Sequence, residues 1–365
     1  MGVLTLPGLI DPHVHLRDLG QNEKEDFYTG TCAALAGGFT TILDMPNNKT
    51  PITTLEKLEE KIEIAKNKAV CDLGFYFGSL GNNLEEFEKV KNKVFGLKLY
   101  LNVTTGNFLV EQNCLTRIFS AWKKGLPIIP ILIHGEGKTL EKVLEVLEKN
   151  PTPIHICHIS LARELKEIIK AKEKGLPVTC GVTPHHLFLT ENDFKKLGPF
   201  ATMKPSLKSK EDVEFLWKNL NAIDVIESDH APHTLEDKNN PIPSFGVPGL
   251  ETTLPLLLTA VSQNRLTIDE IIRLCYTNPA KIFSLRPLGS SLEKETRIEV
   301  DLDKVYTIKN ENLFTKVKWS PFNGWEVKGK VEKVFIRGTN VFENGKILVK
   351  PGFGKILIPQ ILTEI

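Results

Sequence analysis

The sequence has no block of like charges, no apolar run of about 18 residues and no paired spacing among its six cysteines. The formal net charge of +1 removes the usual electrostatic basis for binding nucleic acid or an anionic membrane. Scattered cysteines indicate reduced thiols rather than a disulfide framework, and the N-terminus has no basic segment followed by an apolar one. We therefore expect a cytoplasmic protein with no secretory signal, no nucleic-acid partner and no membrane partner.

Short apolar runs alternate with amphipathic segments of helical period over the first two thirds of the chain. Eight such runs are found, at 4–10, 40–44, 71–77, 95–99, 128–133, 153–157, 178–182 and 222–226. Near-continuous hydrophobic strands, each followed by a helix, predict a parallel (β/α)8 barrel of the α/β class. A doubly wound sheet is the alternative that this pattern leaves open.

The last part of the chain has a different pattern. Short β-like runs follow residue 286, and an Asn344-Gly345 pair between Val341 and Ile347 predicts a hairpin turn. We predict that residues 7–285 form a metal-dependent barrel domain. Residues 1–6 and 286–365 are predicted to form a small β-rich accessory region, in which the first strand pairs with the tail.

Polar side chains follow the ends of several predicted strands. His13 and His15 have the same parity in an extended segment, so both imidazoles point to the same side. The later strands deliver Lys98, His134, His158 and Asp229. Active sites of these barrels lie at the carboxyl ends of the strands, so this cluster predicts a metal site. A lone histidine such as His155, inside its strand, is better explained as structural.

The number of candidate ligands indicates two metal ions. A single open zinc site uses three protein ligands and a water, fewer than four histidines and an aspartate provide. Two ions about 3.5 to 4 Å apart need a bridging anion, and an unmodified lysine is a cation without a lone pair. Lys98 fits such a site only if it is modified.

Six motifs together resemble the dihydroorotases of the amidohydrolase superfamily, above all the dihydroorotase domain of the animal multifunctional pyrimidine-synthesis protein. They are Asp11-Pro12-His13-Val14-His15-Leu16-Arg17, Met45-Pro46-Asn47, Gly96-Leu97-Lys98-Leu99-Tyr100-Leu101-Asn102, Ile156-Cys157-His158, Pro184-His185-His186-Leu187-Phe188-Leu189 and Ser228-Asp229-His230-Ala231-Pro232-His233. The resemblance runs from about Leu6 to the C-terminus.

This resemblance implies two zinc ions bridged by a hydroxide and by Lys98 carboxylated on its amine. Carboxylation turns the lysine from a cation into a bidentate anion. The other implied ligands are His13, His15 and Asp229 on one zinc, and His134 and His158 on the other. Asp229 is also implied as the general acid and base.

The reaction implied is the reversible cyclisation of N-carbamoyl-L-aspartate to L-dihydroorotate in pyrimidine biosynthesis. Arg17 can bind the substrate carboxylate through two parallel hydrogen bonds. The substrate-binding residues implied are Arg17, Asn47, Thr104, Lys204, His233, Pro248 and Gly249. The family also implies a homodimer and an association with aspartate transcarbamoylase.

The chain departs from the animal pattern at three places. Lys204 stands where those proteins carry an arginine, so the charge is kept without the planar fork. The loop at 103–107 keeps the family's threonine as Thr104 but lacks its aromatic residue. Gly181 replaces a glutamate associated with an additional metal near Cys157, so we expect no third metal and a buried thiol. His185 and His186 are expected to support the cluster.

Two other functions remain open. Hydantoinases, dihydropyrimidinases and allantoinases share the histidine pair and the lysine, but a substrate with a free carboxylate calls for Arg17 and Asn47. A non-catalytic scaffold would keep the barrel and lose metal ligands, whereas all six positions are filled here.

Overall fold

The computed structural model describes residues 2–104, 108–125, 127–285 and 295–360. The strands are β1 (Val3–Pro7), β2 (Leu9–Val14), β3 (Phe39–Asp44), β4 (Asp72–Phe75), β5 (Phe77–Gly78), β6 (Leu97–Tyr100), β7 (Ile131–His134), β8 (Ile154–Ile156), β9 (Val178–Val182), β10 (Val225–Ile226), β11 (Arg297–Thr307), β12 (Glu326–Ile336), β13 (Thr339–Glu343) and β14 (Lys346–Ile347).

The helices lie mainly between successive barrel strands. They are α1 (Phe27–Ala36), α2 (Leu55–Lys68), α3 (Phe87–Val90), α4 (Leu115–Trp122), α5 (Lys138–Lys149), α6 (Ala162–Glu173), α7 (Pro184–Phe188), α8 (Glu191–Leu197), α9 (Lys210–Lys218), α10 (Leu235–Asn239), α11 (Leu250–Ser262), α12 (Ile268–Ile272) and α13 (Asn278–Ile282). A π-helical turn at Arg273–Thr277 joins the last two. Within the described ranges, no helix is both long enough and apolar enough to cross a membrane.

Parallel strands close into a ring. One sheet has the order β2-β3-β4 and the other β5-β6-β7-β8-β9-β10. Only Tyr76 separates β4 from β5, and a parallel bridge between Val14 and His230 joins the ends of the first and last barrel strands. The ring therefore has eight strand positions, and the predicted (β/α)8 barrel is confirmed.

Burial and capping explain these elements. Every residue of β4, β6 and β7 is buried, as expected for strands covered on both faces. Helix α2 begins where the Thr54 hydroxyl accepts a hydrogen bond from the Lys57 backbone N–H, and it buries Leu58 and Ala65 against the barrel. Alternation of such strands and helices brings the carboxyl ends of the strands to one rim.

An antiparallel sheet with the order β1-β11-β12-β13-β14 lies beside the barrel. Strand β1 pairs with β11, and the Asn344-Gly345 turn joins β13 to β14 with positive φ angles of 49° and 75°, as the sequence predicts. The prediction of a single strand at 4–10 is wrong. Two strands, β1 and β2, flank Gly8, where a Cβ would lie 2.3 Å from Thr40 Oγ1. The division of the chain into 7–285 and an accessory region stays a prediction, and residues 286–294 and 361–365 lie outside the described ranges.

Candidate active site

The candidate metal ligands meet at the carboxyl ends of the barrel strands. All of them are buried, and they come from the ends of β2, β7, β8 and β10 and from within β6: His13, His15, Lys98, His134, His158 and Asp229. The barrel thus places next to one another residues that are more than 200 positions apart in the chain.

One group of donors surrounds Asp229. Its Oδ1 lies 3.3 Å from His13 Nε2 and 3.1 Å from His15 Nε2. One donor atom from each of these three residues lies within 4.8 Å of the others, a spacing that a single cation can span. The Nδ1 atom of His15 is fixed on its other side by Asn47 Oδ1 at 2.7 Å.

A second group consists of His134 and His158. His134 Nδ1 lies 2.9 Å from His158 Nε2, and the ring of His158 lies 5.1 Å from that of His13. The second group is therefore in direct contact with the first. The division of these residues between two zinc ions stays a prediction.

Lys98 is fully buried in β6. Its Nζ atom lies 3.2 Å from Cys157 Sγ and 4.9 Å from the ring centre of Tyr100. Burial raises the pKa of the Cys157 thiol to about 12, so this side chain is neutral at physiological pH. The lysine amine thus lies beside a thiol and an aromatic ring, away from solvent.

The electrostatics of the cluster suit metal ligation. Burial, together with the Lys98 charge, lowers the pKa of His13 to about 4. Burial is also the largest cause that holds the pKa well below its usual range at His15, His134 and His158. Neutral imidazoles are the form that binds cations, so the donor set fits a metal centre.

A small pocket opens above the cluster. Its lining includes four of the residues predicted to bind substrate: Arg17, Asn47, Thr104 and Lys204. The same lining contains His13, His15, His158 and Asp229. A ligand in this pocket therefore faces cationic side chains and the metal-ligand cluster together. Residues 105–107 of the neighbouring loop lie outside the described ranges.

Sequence comparison identifies relatives along nearly the whole chain. A dihydroorotase from Pyrococcus horikoshii is 40% identical over 364 residues, covering 96% of this chain and 84% of the relative. The chain belongs to the dihydroorotase family. The amidohydrolase family model matches residues 4–107, and amidohydrolases depend on metal ions.

Other relatives of this dihydroorotase-family chain are much longer. The multifunctional protein CAD of Squalus acanthias is 44% identical over 97% of this chain, which spans 16% of the length of that protein. Among solved structures, the L-hydantoinase from Arthrobacter aurescens has a TM-score of 0.92 at 26% identity, covering 98% of this chain and 89% of that one. An inactive dihydroorotase-like domain from Chaetomium thermophilum has a TM-score of 0.82 at 27% identity, covering 98% and 100%.

His233 lies behind the pocket lining of this dihydroorotase-family protein. Lys24 Nζ lies 3.3 Å from His233 Nδ1, and Arg17 Nη2 lies 3.2 Å from His233 Nε2. The same Nε2 atom lies 3.0 Å from the Phe245 carbonyl oxygen. His233 thus contacts Arg17 from behind, and its predicted contact with substrate stays a prediction.

Pro248 and Gly249 also lie outside the described lining of the pocket. The Gly249 N–H donates to His230 Nδ1 at 3.2 Å, so it is already engaged. On the other ring nitrogen, His230 Nε2 lies 3.3 Å from Glu25 Oε2. His230 has no role predicted from the sequence, although it directly follows Asp229 in the motif Ser228-Asp229-His230-Ala231-Pro232-His233.

Glu227 is a second residue that the sequence reasoning missed. Its Oε2 lies 3.3 Å from His13 Nδ1, and its Oε1 accepts a hydrogen bond from the His158 backbone N–H at 2.5 Å. Burial favours the neutral acid, but His13 and His155 outweigh it and hold the pKa of Glu227 well below its usual range. An ionised carboxylate therefore touches both halves of the cluster, as expected for a group that orients metal-binding histidines.

The position of Glu227 explains Gly181. A Cβ at Gly181 would lie 2.5 Å from Glu227 Oε1, so the missing side chain on β9 leaves the space that this carboxylate fills. Donor atoms of His13, Cys157 and Glu227 lie within 4.8 Å of one another. The thiol is neutral, and neutral thiols are poor metal ligands. The absence of a third metal stays a prediction.

His185 and His186 lie on α7, next to the cluster. His186 Nδ1 lies 2.8 Å from Thr183 Oγ1, and its Nε2 lies 3.0 Å from the Pro205 carbonyl. The rings of the two histidines are 4.5 Å apart. Because Pro205 follows Lys204, His186 contacts the segment that carries this pocket residue.

Proposed function

We propose that this chain catalyses the reversible cyclisation of N-carbamoyl-L-aspartate to L-dihydroorotate, with water released. The observation that supports this most directly is the lining of one pocket by Arg17, Lys204 and Asp229. A small cyclic amide with a free carboxylate would place its anionic group on the two cations and its amide bond beside the acid.

We also propose that the centre holds two zinc ions. One would be held by His13, His15 and Asp229, the other by His134 and His158, and Lys98 would bridge them after CO2 adds to its amine with loss of a proton. When bound, the ions would polarise the ring carbonyl and lower the pKa of water, which makes a nucleophile available at neutral pH.

The protein's own groups orient the substrate and move the proton. Arg17 is held by its Nε–H, which donates to the Pro232 carbonyl at 3.3 Å, and the guanidinium is left at the pocket to bind the carboxylate. In hydrolysis, the oxygen of water bonds to the ring carbonyl carbon and the carbon–nitrogen bond breaks. The Asp229 carboxylate takes the proton from that water and gives it to the departing nitrogen. Ring closure is the reverse.

A substrate comparison tests this function. Purified zinc-loaded protein is assayed with dihydroorotate, dihydrouracil, hydantoin and allantoin, and we expect a preference of at least about a hundredfold in kcat/KM for dihydroorotate. Faster turnover of a substrate without a carboxylate would instead favour the hydantoinase reaction, to which the fold similarity also points. A protein that binds no zinc and turns over none of them would indicate a scaffold.

The bridging lysine has a test of its own. The accurate mass of the intact, folded, zinc-loaded protein, measured without acid or digestion, is expected to exceed that of the chain and its zinc by the mass of one CO2. An unmodified lysine in fully active protein would overturn the two-ion proposal.

The assembly is also a proposal. We propose a cytoplasmic homodimer that associates with aspartate transcarbamoylase. Light scattering of the protein, alone and mixed with aspartate transcarbamoylase, measures both interactions, and a monomer that does not change on mixing would contradict them.

A further inference from the structure

A buried lysine near the pocket has no role in the proposed chemistry. Lys238, on α10, is fully buried, and its Nζ atom donates to the carbonyls of Thr202 at 2.8 Å, Ser244 at 2.9 Å and Gly246 at 3.0 Å. The ammonium lies 5.5 Å from the ring centre of Trp319. All three of its N–H donors therefore have carbonyl partners, and an aromatic ring lies beside them.

The three carbonyls belong to two segments that form one wall of the pocket. Thr202 precedes Lys204 by two residues, and Ser244 and Gly246 flank Phe245. Lys204, Phe245 and Gly246 all line the pocket, and Lys204 Nζ lies 5.3 Å from the Phe245 ring. A backbone hydrogen bond from Gly246 N–H to the Thr202 carbonyl also joins the two segments. Lys238 is thus a further connection between them.

This wall packs closely against the strand end that carries Asp229. Gly246 has a φ of 136°, and a Cβ there would lie 2.5 Å from the Ala231 carbonyl oxygen. A shift of the 244–246 segment therefore changes the distance between the cationic wall and the acid. Small displacements of this kind are costly to catalysis and binding.

We propose that Lys238 is a positioning residue, which fixes Lys204 and Phe245 in the pocket wall and thereby sets the affinity for the anionic substrate. This inference rests on the proposed function. It adds a residue that touches neither the substrate nor the metal ligands and acts only through the backbone that it holds.

The charge of Lys238 gives the wall a dependence on pH. Burial lowers the pKa of Lys238 to about 7, and among the described residues only the neighbouring Asp237 carboxylate opposes that shift. Among the described charged and titratable neighbours, His233 and Lys24 lie against Asp237, and Lys204 lies against Phe245. An ammonium has three N–H donors and a neutral amine has two, so one carbonyl loses its donor as pH rises through this range.

Lys91 provides a matched control. Its Nζ atom also donates to three carbonyls, those of Trp122, Lys124 and Gly125, and it lies 5.8 Å from the Trp122 ring. It is buried, but it lies outside the described lining of the pocket. Lys91→Met therefore removes the same kind of interaction from a different part of the fold.

The experiment compares Lys238→Met with Lys91→Met in zinc-loaded protein. We expect Lys238→Met to raise KM for dihydroorotate about tenfold while kcat falls less than about threefold, and to speed amide hydrogen exchange at Gly246. Lys91→Met should change none of these. In the parent protein, KM should rise between pH 6 and pH 8 and the protection factor of the Gly246 amide, which is the exchange rate corrected for its base-catalysed intrinsic rate, should fall. Lys238→Met should lack both changes.

The outcomes separate this inference from the proposed function. If the parent protein does not turn over dihydroorotate, the proposed function is contradicted. Amide hydrogen exchange at Gly246 still tests the positioning role of Lys238 in that case. Equal KM and equal exchange in the two variants would overturn the inference. If Lys238→Met does not fold, a protection factor of the Gly246 amide that does not change between pH 6 and pH 8 in the parent protein would overturn it as well.

Discussion

Arg17, His158 and Asp229 have left-handed backbone conformations, with φ angles of 63°, 37° and 45°. Such conformations cost L-residues about 1 to 3 kcal/mol each and occur most often at functional sites. Here tertiary hydrogen bonds hold two of them, from His158 N–H to Glu227 and from Arg17 Nε to the Pro232 carbonyl. Local sequence preference does not predict these turns.

The side chains of the cluster were predictable because imidazoles recur after apolar runs. The contacts of Glu227 were not, since its partners His13 and His158 come from β2 and β8. Gly181 was a usable signal: a glycine inside a buried strand indicates that another group approaches closely. It does not identify which group.

Asp229→Asn tests the acid and base at this scale. The amide keeps the shape but does not take a proton, so we expect kcat to fall by at least about a hundredfold. Steady-state kinetics measure this, and zinc content is measured in parallel because Asp229 is also a proposed ligand. The exposed Asp269 provides the control Asp269→Asn, which should not change kcat. Turnover of Asp229→Asn within a few-fold of the parent would contradict the assignment.

Arg17→Met tests carboxylate binding. Loss of the guanidinium should raise KM for dihydroorotate by about tenfold to a hundredfold, since a charge-assisted pair is lost from a buried position. Turnover of dihydrouracil, which has no carboxylate, should be no lower in Arg17→Met than in the parent protein. Arg163→Met, at an exposed arginine, is the control. Equal losses for both substrates would mean that Arg17 acts on the fold rather than on the carboxylate.

At the scale of elements, the order of the barrel strands and the pairing of β1 with the tail were predictable, and the strand boundaries were not. The apolar run at 4–10 contains two strands, because Gly8 lets the chain pass Thr40 closely and change from one sheet to the other. The run at 71–77 is likewise divided at Tyr76, whose hydroxyl donates to the Pro12 carbonyl. The hairpin at Asn344-Gly345 was predictable because its turn chemistry is local.

Gly181→Ala tests the contact between neighbouring strands. Its Cβ would displace the Glu227 carboxylate from His13 and His158, so we expect zinc affinity to fall about tenfold to a hundredfold, measured by competition with a chelator. Cys180→Ala, one residue earlier in β9, removes buried apolar volume instead. It should lower stability and leave zinc affinity within about twofold. Equal zinc affinities in the two variants would show that Glu227 does not support the centre.

At the scale of the whole molecule, the site joins segments from both ends of the chain. Glu25, before α1, accepts hydrogen bonds from the Thr315 hydroxyl and the Lys316 N–H, and its Oε2 lies beside His230. Residues after β11 are thus connected to the strand end that carries Asp229. Such long-range contacts depend on the closed barrel, and no local pattern in the sequence contains them.

Metal removal tests how far the centre holds the whole barrel together. The proposed ligands come from five strand positions, so bound zinc would stabilise the folded protein and not the unfolded chain. Removal with a chelator should lower the melting temperature by at least about 5 °C, measured by calorimetry. Returning zinc together with bicarbonate should restore both the melting temperature and activity. Zinc in CO2-depleted buffer should restore them only in part, because unmodified Lys98 remains a cation between the two sets of ligands. Full recovery without CO2 would be consistent with the proposed metal site and would contradict the bridging role of Lys98.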